Sequence, residues 1–177
     1  MPSRPTVTLR PRRASDLPAL VDVLGRQQPH SRYPFRWPWP GGDVTEFIVR
    51  DGEEATWVAE LDGRVVGHAA ILTITDDSPR TRAWYAATGR DAAGLACVSV
   101  LFVDIDVLGT GVGGTLLDAA VAWGRERGRI PVLDVLDHGR AVAVYRRRGW
   151  REVGSDHPDW LPDGAPPMLA MVLPTDD

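Results

Sequence analysis

Val7 and Leu9 alternate with polar neighbours, the two-residue period of a short first strand. Ser15-Asp16 then offers a cap for a helix whose apolar positions are Leu17, Leu20, Val21 and Leu24, ending near Gly25. Residues 29–42 are broken by prolines and carry Tyr33, Phe35, Trp37 and Trp39, so helix is not expected to continue there. Asp43 caps a second short helix through Phe47, Ile48 and Val49. Residues 56–61 and 64–75 flank Asp62-Gly63, a two-residue hairpin turn. Residues 76–94 read as an insertion, with a helix at 82–88 presenting Trp84 and Tyr85. Residues 95–103 are almost continuously apolar and β-branched, which predicts a central strand buried on both faces.

A run of glycines follows, and then Leu116, Leu117, Ala120, Val121 and Trp123 at helical spacing, stopping near Gly128. Residues 131–136 form another buried strand. Ala141, Val144, Tyr145 and Arg148 share one face of a helix closed by Gly149, and residues 150–153 and 168–173 supply two last strands. The order predicts a single domain over residues 1–177, of mixed α/β (α+β) class, without internal repeats.

Composition narrows the function classes. A net charge of −4 gives no blanket attraction to nucleic acid or anionic membrane. Every cation is arginine; lysine and asparagine are absent, which points to a GC-rich bacterial genome. The lone Cys97 cannot form an internal disulfide, and the polar N-terminus lacks the apolar core of a signal peptide. No apolar run approaches the roughly 20 residues of a membrane span. A cytoplasmic protein, monomer or homodimer, is expected, and no metal site is assigned.

The chemistry concentrates in Gly109-Thr110-Gly111-Val112-Gly113-Gly114. Glycines let backbone approach phosphates closely, and the helix that follows turns unpaired N–H groups and its positive dipole end toward an anion. Taken literally, Gly109-x-Gly111-x-x-Gly114 is a dinucleotide fingerprint, with Asp134 lying 20 residues beyond it. In that fold the first glycine follows its strand at once, whereas Asp104-Ile105-Asp106-Val107-Leu108 intervenes here. The fingerprint also normally opens its domain, and this one begins past residue 100. A nicotinamide-binding domain fits poorly.

The segment from Leu101-Phe102-Val103-Asp104 through Leu108 and the glycines to Leu116-Leu117 resembles the acyl-CoA motif of the GNAT N-acetyltransferase superfamily. A second block, from Leu133-Asp134-Val135 through His138 to Tyr145 and Gly149-Trp150, resembles that family's Asn-x-x-Ala-x-x-Leu-Tyr-x-x-x-Gly-Phe. The opening around Leu9-Arg10-Pro11 and Asp16-Leu17 resembles its first strand and helix, so the likeness spans essentially the whole chain. Two positions depart from the pattern: Leu108 stands where the family has Gln or Arg, and His138 where it has Asn. Leu108 keeps a backbone N–H to offer, and the His138 ring can donate a hydrogen bond.

The resemblance implies a largely antiparallel sheet of six or seven strands flanked by about four helices. It implies acetyl-CoA as co-substrate, held by Leu101, Phe102, Val103, Leu108, Gly109, Thr110, Gly111, Val112, Gly113, Gly114 and His138. It implies an amine acceptor, small molecule or peptide, near Tyr33, Phe35, Trp37 and Trp84. Tyr145 matches the family's general acid, donating to a thiolate whose own pKa is about 8.5. A backbone N–H near Leu101 or Val103 would polarise the thioester carbonyl.

The general base is harder to find. No carboxylate lies between Leu95 and Val103, where some members carry glutamate near the position of Cys97. Glu60, His68 and Ser99 remain as candidates; His68, set among small apolar residues, also fits a packed core histidine, and Cys97 inert core. Deprotonating a lysine-like amine at pH 7 costs about 4–5 kcal/mol, against about 1–1.5 for an α-amine, so a low-pKa amine acceptor or a base reached through water is expected. Leu108 and the missing carboxylate also motivate an alternative of another class, a non-catalytic acyl-CoA-binding module.

Overall fold

The computed structural model describes residues 6–175. Seven strands form one sheet in the order β1-β2-β3-β4-β5-β7-β6. They are β1 (Val7–Arg10), β2 (Glu53–Leu61), β3 (Arg64–Leu72), β4 (Leu95–Val103), β5 (Ile130–Leu136), β6 (Arg151–Asp156) and β7 (Met168–Val172). The helices are α1 (Leu17–Ser31), α2 (Thr45–Ile48), α3 (Pro79–Thr88), α4 (Val112–Arg125) and α5 (Arg140–Arg147). The β1–β2, β2–β3, β5–β7 and β6–β7 pairs are antiparallel, and β4–β5 is parallel over Leu95–Cys97. The mixed, largely antiparallel sheet implied by the sequence is present.

The chain divides into two compact units, one running through Leu72 with Ser99–Ala120, the other comprising Thr73–Val98 and residues from Val121 on. In the first, β2 and β3 form the expected hairpin, and Asp62 and Gly63 both take positive φ (52° and 76°) as a tight primed turn requires. Helix α1 buries Leu20, Val23, Leu24 and Gln27 at i, i+3, i+4 and i+7, packing with Phe47, Ile48, Val58, Ala70 and Phe102. A second cluster joins Ala59, Val66 and Ala69 to Val107, Val112 and Leu116.

Three expectations fail here. Helix α1 runs past Gly25 and through Pro29 to Ser31. Pro29 sits in the last turn, where the missing N–H removes a single bond. Asp16 makes no side-chain cap on α1; its carboxylate instead accepts from Arg10 and from the Arg13 N–H. The N-cap of the second helix is Val44, without a side-chain bond, and Asp43 one residue earlier accepts from the Thr45 N–H at 2.9 Å and its hydroxyl at 2.6 Å.

In the second unit, residues 76–94 are no loose insertion: α3 packs on β6 and β7. Trp84 is buried with Leu95, Val132, Ala170 and Val172. Helix α5 turns Val142 inward and leaves Ala141 and Val144 exposed, so its inner face is rotated from the one the spacing suggested. Strand β4 is not buried on both faces. Val98, Val100 and Phe102 are buried, while Cys97, Ser99, Leu101 and Val103 are half-buried. Among the described residues no helix is long and apolar enough to cross a membrane.

Gly154 tests the α3–β6 packing, because a Cβ there would lie 2.6 Å from the Ala83 Cβ and neither atom can rotate away. Gly154→Ala is expected to cost about 1–3 kcal/mol, a fall of about 2–10 °C in the melting midpoint. Gly25→Ala, inside α1 with open space around the new methyl, should leave the midpoint unchanged or slightly higher.

Candidate active site

Asp104 shapes the approach to the glycines. It is fully buried at the end of β4, its N–H donates to the Val66 carbonyl at 2.7 Å, and Oδ1 accepts from the Asp106 N–H. Arg26 pairs with the remaining oxygen, as a buried carboxylate needs. A single 3-10 turn over Ile105–Val107 follows, and the Thr110 N–H and hydroxyl both bond to the Val107 carbonyl, at 3.2 and 2.6 Å. The five residues that separate strand from glycine are therefore an ordered corner. Val107 and Val112 anchor it in the core on either side of the glycines.

Between those anchors the backbone is exposed. Gly109 and Gly111 have φ of +75° and +96°, which L side chains rarely adopt, and a Cβ at either would meet nothing within 4 Å. Helix α4 starts at Val112, and the Thr115 N–H to the Gly111 carbonyl is its opening bond. The amides of Gly111, Val112 and Gly113 consequently have no acceptor within the helix. An exposed turn with aligned donors and the positive end of a 14-residue helix fits a pyrophosphate. Leu108 departs from expectation: its N–H closes the 3-10 turn onto the Ile105 carbonyl at 3.3 Å, so the donor reserved for the ligand is engaged. Its side chain is 48 % exposed.

The candidate bases fare unequally. Glu60 accepts from Arg10 at 2.7 and 2.9 Å, in an ion pair shared with Asp16. His68 has no exposed surface. Its Nδ1 lies 2.8 Å from the Val100 carbonyl and its Nε2 3.1 Å from Arg12 Nη1. Guanidinium only donates and carbonyl only accepts, so the ring is neutral, with its proton on Nδ1. Burial pushes its pKa down to about 4, and the Arg12 charge adds to that. Arg12 in turn holds Glu53 through both oxygens, at 2.8 and 2.6 Å, and donates to the Ile48 carbonyl at 3.2 Å. Burial opposes ionisation of Glu53, but the bonds from Arg12 and the Arg50 N–H outweigh it and keep the carboxyl below its usual range. His68 is thus a core residue and cannot meet a substrate amine. Ser99 stands half-buried on β4.

Val100 itself has φ +50°, a left-handed conformation in mid-strand that costs a β-branched residue about 1–3 kcal/mol. Nothing in local sequence marks it.

Of the expected acceptor-binding aromatics, Tyr33 packs edge-on to Phe47 at 5.2 Å. Phe35 lies under the Arg32 guanidinium at 5.6 Å, and Trp37 is exposed. Trp39 also packs on Phe47, its indole N–H buried without a partner among the described residues. Trp84, in the other unit, is 4 % exposed and serves packing; an acceptor cannot reach it.

In that second unit Tyr145 is half-buried on α5, edge-to-face with Trp150 at 5.9 Å. Burial, with a smaller contribution from the Asp134 charge, pushes its pKa up to about 12. Asp134 on β5 and Asp156 on β6 share Arg80, so Asp134 is not the free ribose ligand of a dinucleotide fold. Burial raises the Asp134 pKa against the pull of Arg80. This ion-pair triad escaped the sequence reading because Arg80 lies 54 and 76 residues from its partners. Burial also pushes the Cys97 thiol well up, against the thiolate form. His138 is half-buried in the turn before α5, its N–H on the Leu136 carbonyl at 2.7 Å. Among the described residues no cluster of His, Cys, Asp and Glu could hold a metal ion.

A largely antiparallel sheet with an exposed glycine turn opening a helix after β4 defines an α/β protein built to bind a phosphate-bearing ligand. The chain belongs to the acetyltransferase (GNAT) family, whose sequence model matches residues 21–150. The family takes its acetyl group from acetyl-CoA. Among solved structures, the ribosomal-protein-S18-alanine N-acetyltransferase from Escherichia coli is similar at TM-score 0.67 and 18% identity, over 96% of this chain and 94% of that one. An N-acetyltransferase from Staphylococcus aureus Mu50 is similar at 0.66 and 17%, over 94% and 96%. A GNAT family acetyltransferase from Brucella melitensis in complex with acetyl-CoA is similar at 0.61 and 20%, over 98% and 92%. No curated protein matches the chain by sequence.

His68 makes folding pH-dependent in a defined direction. Its pKa is about 4 folded and 6.5 in the unfolded chain, so only the unfolded chain takes up the proton between those values. The stability it supports is intact above pH 6.5 and declines as pH falls toward 4, by about 3 kcal/mol in full. Denaturant melts of wild type and His68→Asn at pH 7.5 and 4.5 should show a steeper loss for wild type; parallel losses would contradict the assignment.

Proposed function

We propose that this protein is an acetyl-CoA-dependent N-acetyltransferase that transfers acetyl to the amine of a small molecule or peptide by direct attack. The exposed Gly109–Gly114 turn at the start of α4 carries the reading, with left-handed Gly109 and Gly111 open to a ligand. In this reading Gly109, Thr110, Gly111, Val112, Gly113, Gly114 and Leu108 surround the pyrophosphate, with His138 as a further polar contact. The backbone of Leu101, Phe102 and Val103, beyond the β4–β5 ladder, pairs with the pantetheine arm. Arginine as sole cation and the unpaired Cys97 support a bacterial cytoplasm as its setting.

The amine nitrogen attacks the thioester carbon, the C–S bond breaks, and the proton lost by nitrogen is matched by one gained at sulfur. Tyr145 supplies the proton at sulfur. A phenol with a raised pKa stays protonated across the working range, so it is always ready to donate. Glu60, paired to Arg10, and the buried His68 are not placed to act as base for a lysine-like amine. A weakly basic acceptor, deprotonated through water or Ser99, answers that lack. Trp37, with Tyr33 and Phe35 in the same segment, offers an aromatic face for a ring or cationic amine.

The lack of a carboxylate between Leu95 and Val103 also favours a second reading, a non-catalytic acyl-CoA-binding module. Calorimetry against acetyl-CoA and NAD separates cofactors: binding of acetyl-CoA alone is expected, and NAD binding alone would overturn the reading. Thiol release with a panel of alkylamines, α-amino peptides and arylamines separates enzyme from binding module. Turnover is expected to be highest for amines of low pKa; silence across the panel leaves the binding module.

Tyr145→Phe should lower kcat by about 100-fold or more, in the range of one lost general acid, with the Kd for acetyl-CoA within about 3-fold of wild type. The pH profile should show no alkaline fall from Tyr145 below about pH 11.

A further inference from the structure

The buried His68 has no role in the reading above, and its two contacts suggest one. Arg12 donates to Nε2 and Nδ1 donates to the Val100 carbonyl, so the ring carries polarity from the Glu53–Arg12 ion pair to one peptide group of β4. The ring is further fixed by stacking on Phe102, 5.6 Å between centroids. Val100 is left-handed, a conformation that interrupts a ladder and leaves a backbone group to be satisfied elsewhere. The Val100–Leu101 peptide is trans, so its C=O and N–H point in opposite directions. With the carbonyl held on the His68 ring, the Leu101 N–H is directed away from that ring.

We propose that His68 is a positioning residue: by holding the Val100 carbonyl it aims the Leu101 N–H as the donor that polarises the acetyl carbonyl. Of the two amides the sequence offered, Leu101 and Val103, Leu101 is the one whose peptide His68 holds. The inference rests on the acetyl-CoA reading and adds a reason for the strained residue. A donor locked before substrate arrives costs no reorganisation when negative charge develops on the carbonyl oxygen. Hydrogen bonding of Arg12 to Nε2 strengthens Nδ1 as a donor and, through the shared peptide, Leu101 N–H as well.

Two measurements on the full chain test it. In ¹⁵N-labelled protein titrated with acetyl-CoA, the Leu101 amide proton is expected to move downfield together with the amides of Gly109 to Gly114. Movement of the glycine amides with Leu101 unmoved overturns this inference and leaves the cofactor reading standing. Silence at both overturns the cofactor reading and this inference with it.

The second measurement compares His68→Asn, whose amide nitrogen takes the place of Nδ1, with His68→Leu, which offers no donor. His68→Leu should lose about 10- to 100-fold in kcat at unchanged KM for acetyl-CoA, and His68→Asn should recover to within about 3-fold of wild type. A kcat for His68→Leu that matches wild type per folded molecule, or a His68→Asn as impaired as His68→Leu, overturns it. Should His68→Leu not fold, the Leu101 amide decides.

Discussion

The Val100 carbonyl lies among side chains that exclude water, on a residue whose left-handed backbone takes it out of regular strand pairing. A buried acceptor must find a donor, and the donor is a histidine from β3 whose ring is kept neutral by the guanidinium on its other nitrogen. That requirement propagates. Neutral His68 needs a group to donate to Nε2, which Arg12 supplies; Arg12 needs a counterion in the core, which is Glu53. Three polar side chains separated by 41 and 56 residues in the chain are thus committed together to one peptide group. Such a network is worth keeping only when complete, since any member left alone would be a buried unpaired group.

The glycine turn depends on a similar chain of obligations. Asp104 is buried because it ends β4 and opens the 3-10 turn at once, and Arg26 of α1 supplies its charge partner. Val107 and Val112 are packed on either side, so the intervening glycines are held at both ends while staying open to a ligand. The same corner uses up the Leu108 N–H, which makes its apolar side chain the outstanding departure from the family pattern.

In the second unit the polar core is ionic. Arg80 on α3 joins Asp134 of β5 and Asp156 of β6, so the helix that the sequence suggested was an insertion binds the strands electrostatically as well as through Ala83 and Trp84. The Tyr145 phenol is kept protonated chiefly by burial.

Periodicity alone located all seven strands, the hairpin turn at Asp62-Gly63 and the helix behind the glycines, because these follow from side-chain alternation and backbone conformations open to few residues. The two motif blocks singled out Gly109–Gly114 and Tyr145 as candidates, since glycines at that spacing leave a local mark. Tertiary structure decided the rest. Trp84 turned inward, α5 rotated to bury Val142, Glu60 met Arg10, and His68 became a link in a network. Each outcome depends on partners tens of residues away, where pairing of charges and satisfaction of buried groups leave no local periodic trace. Most of all, the left-handed Val100 is invisible in an apolar β-branched run, and only the histidine across the strand gives its conformation a reason.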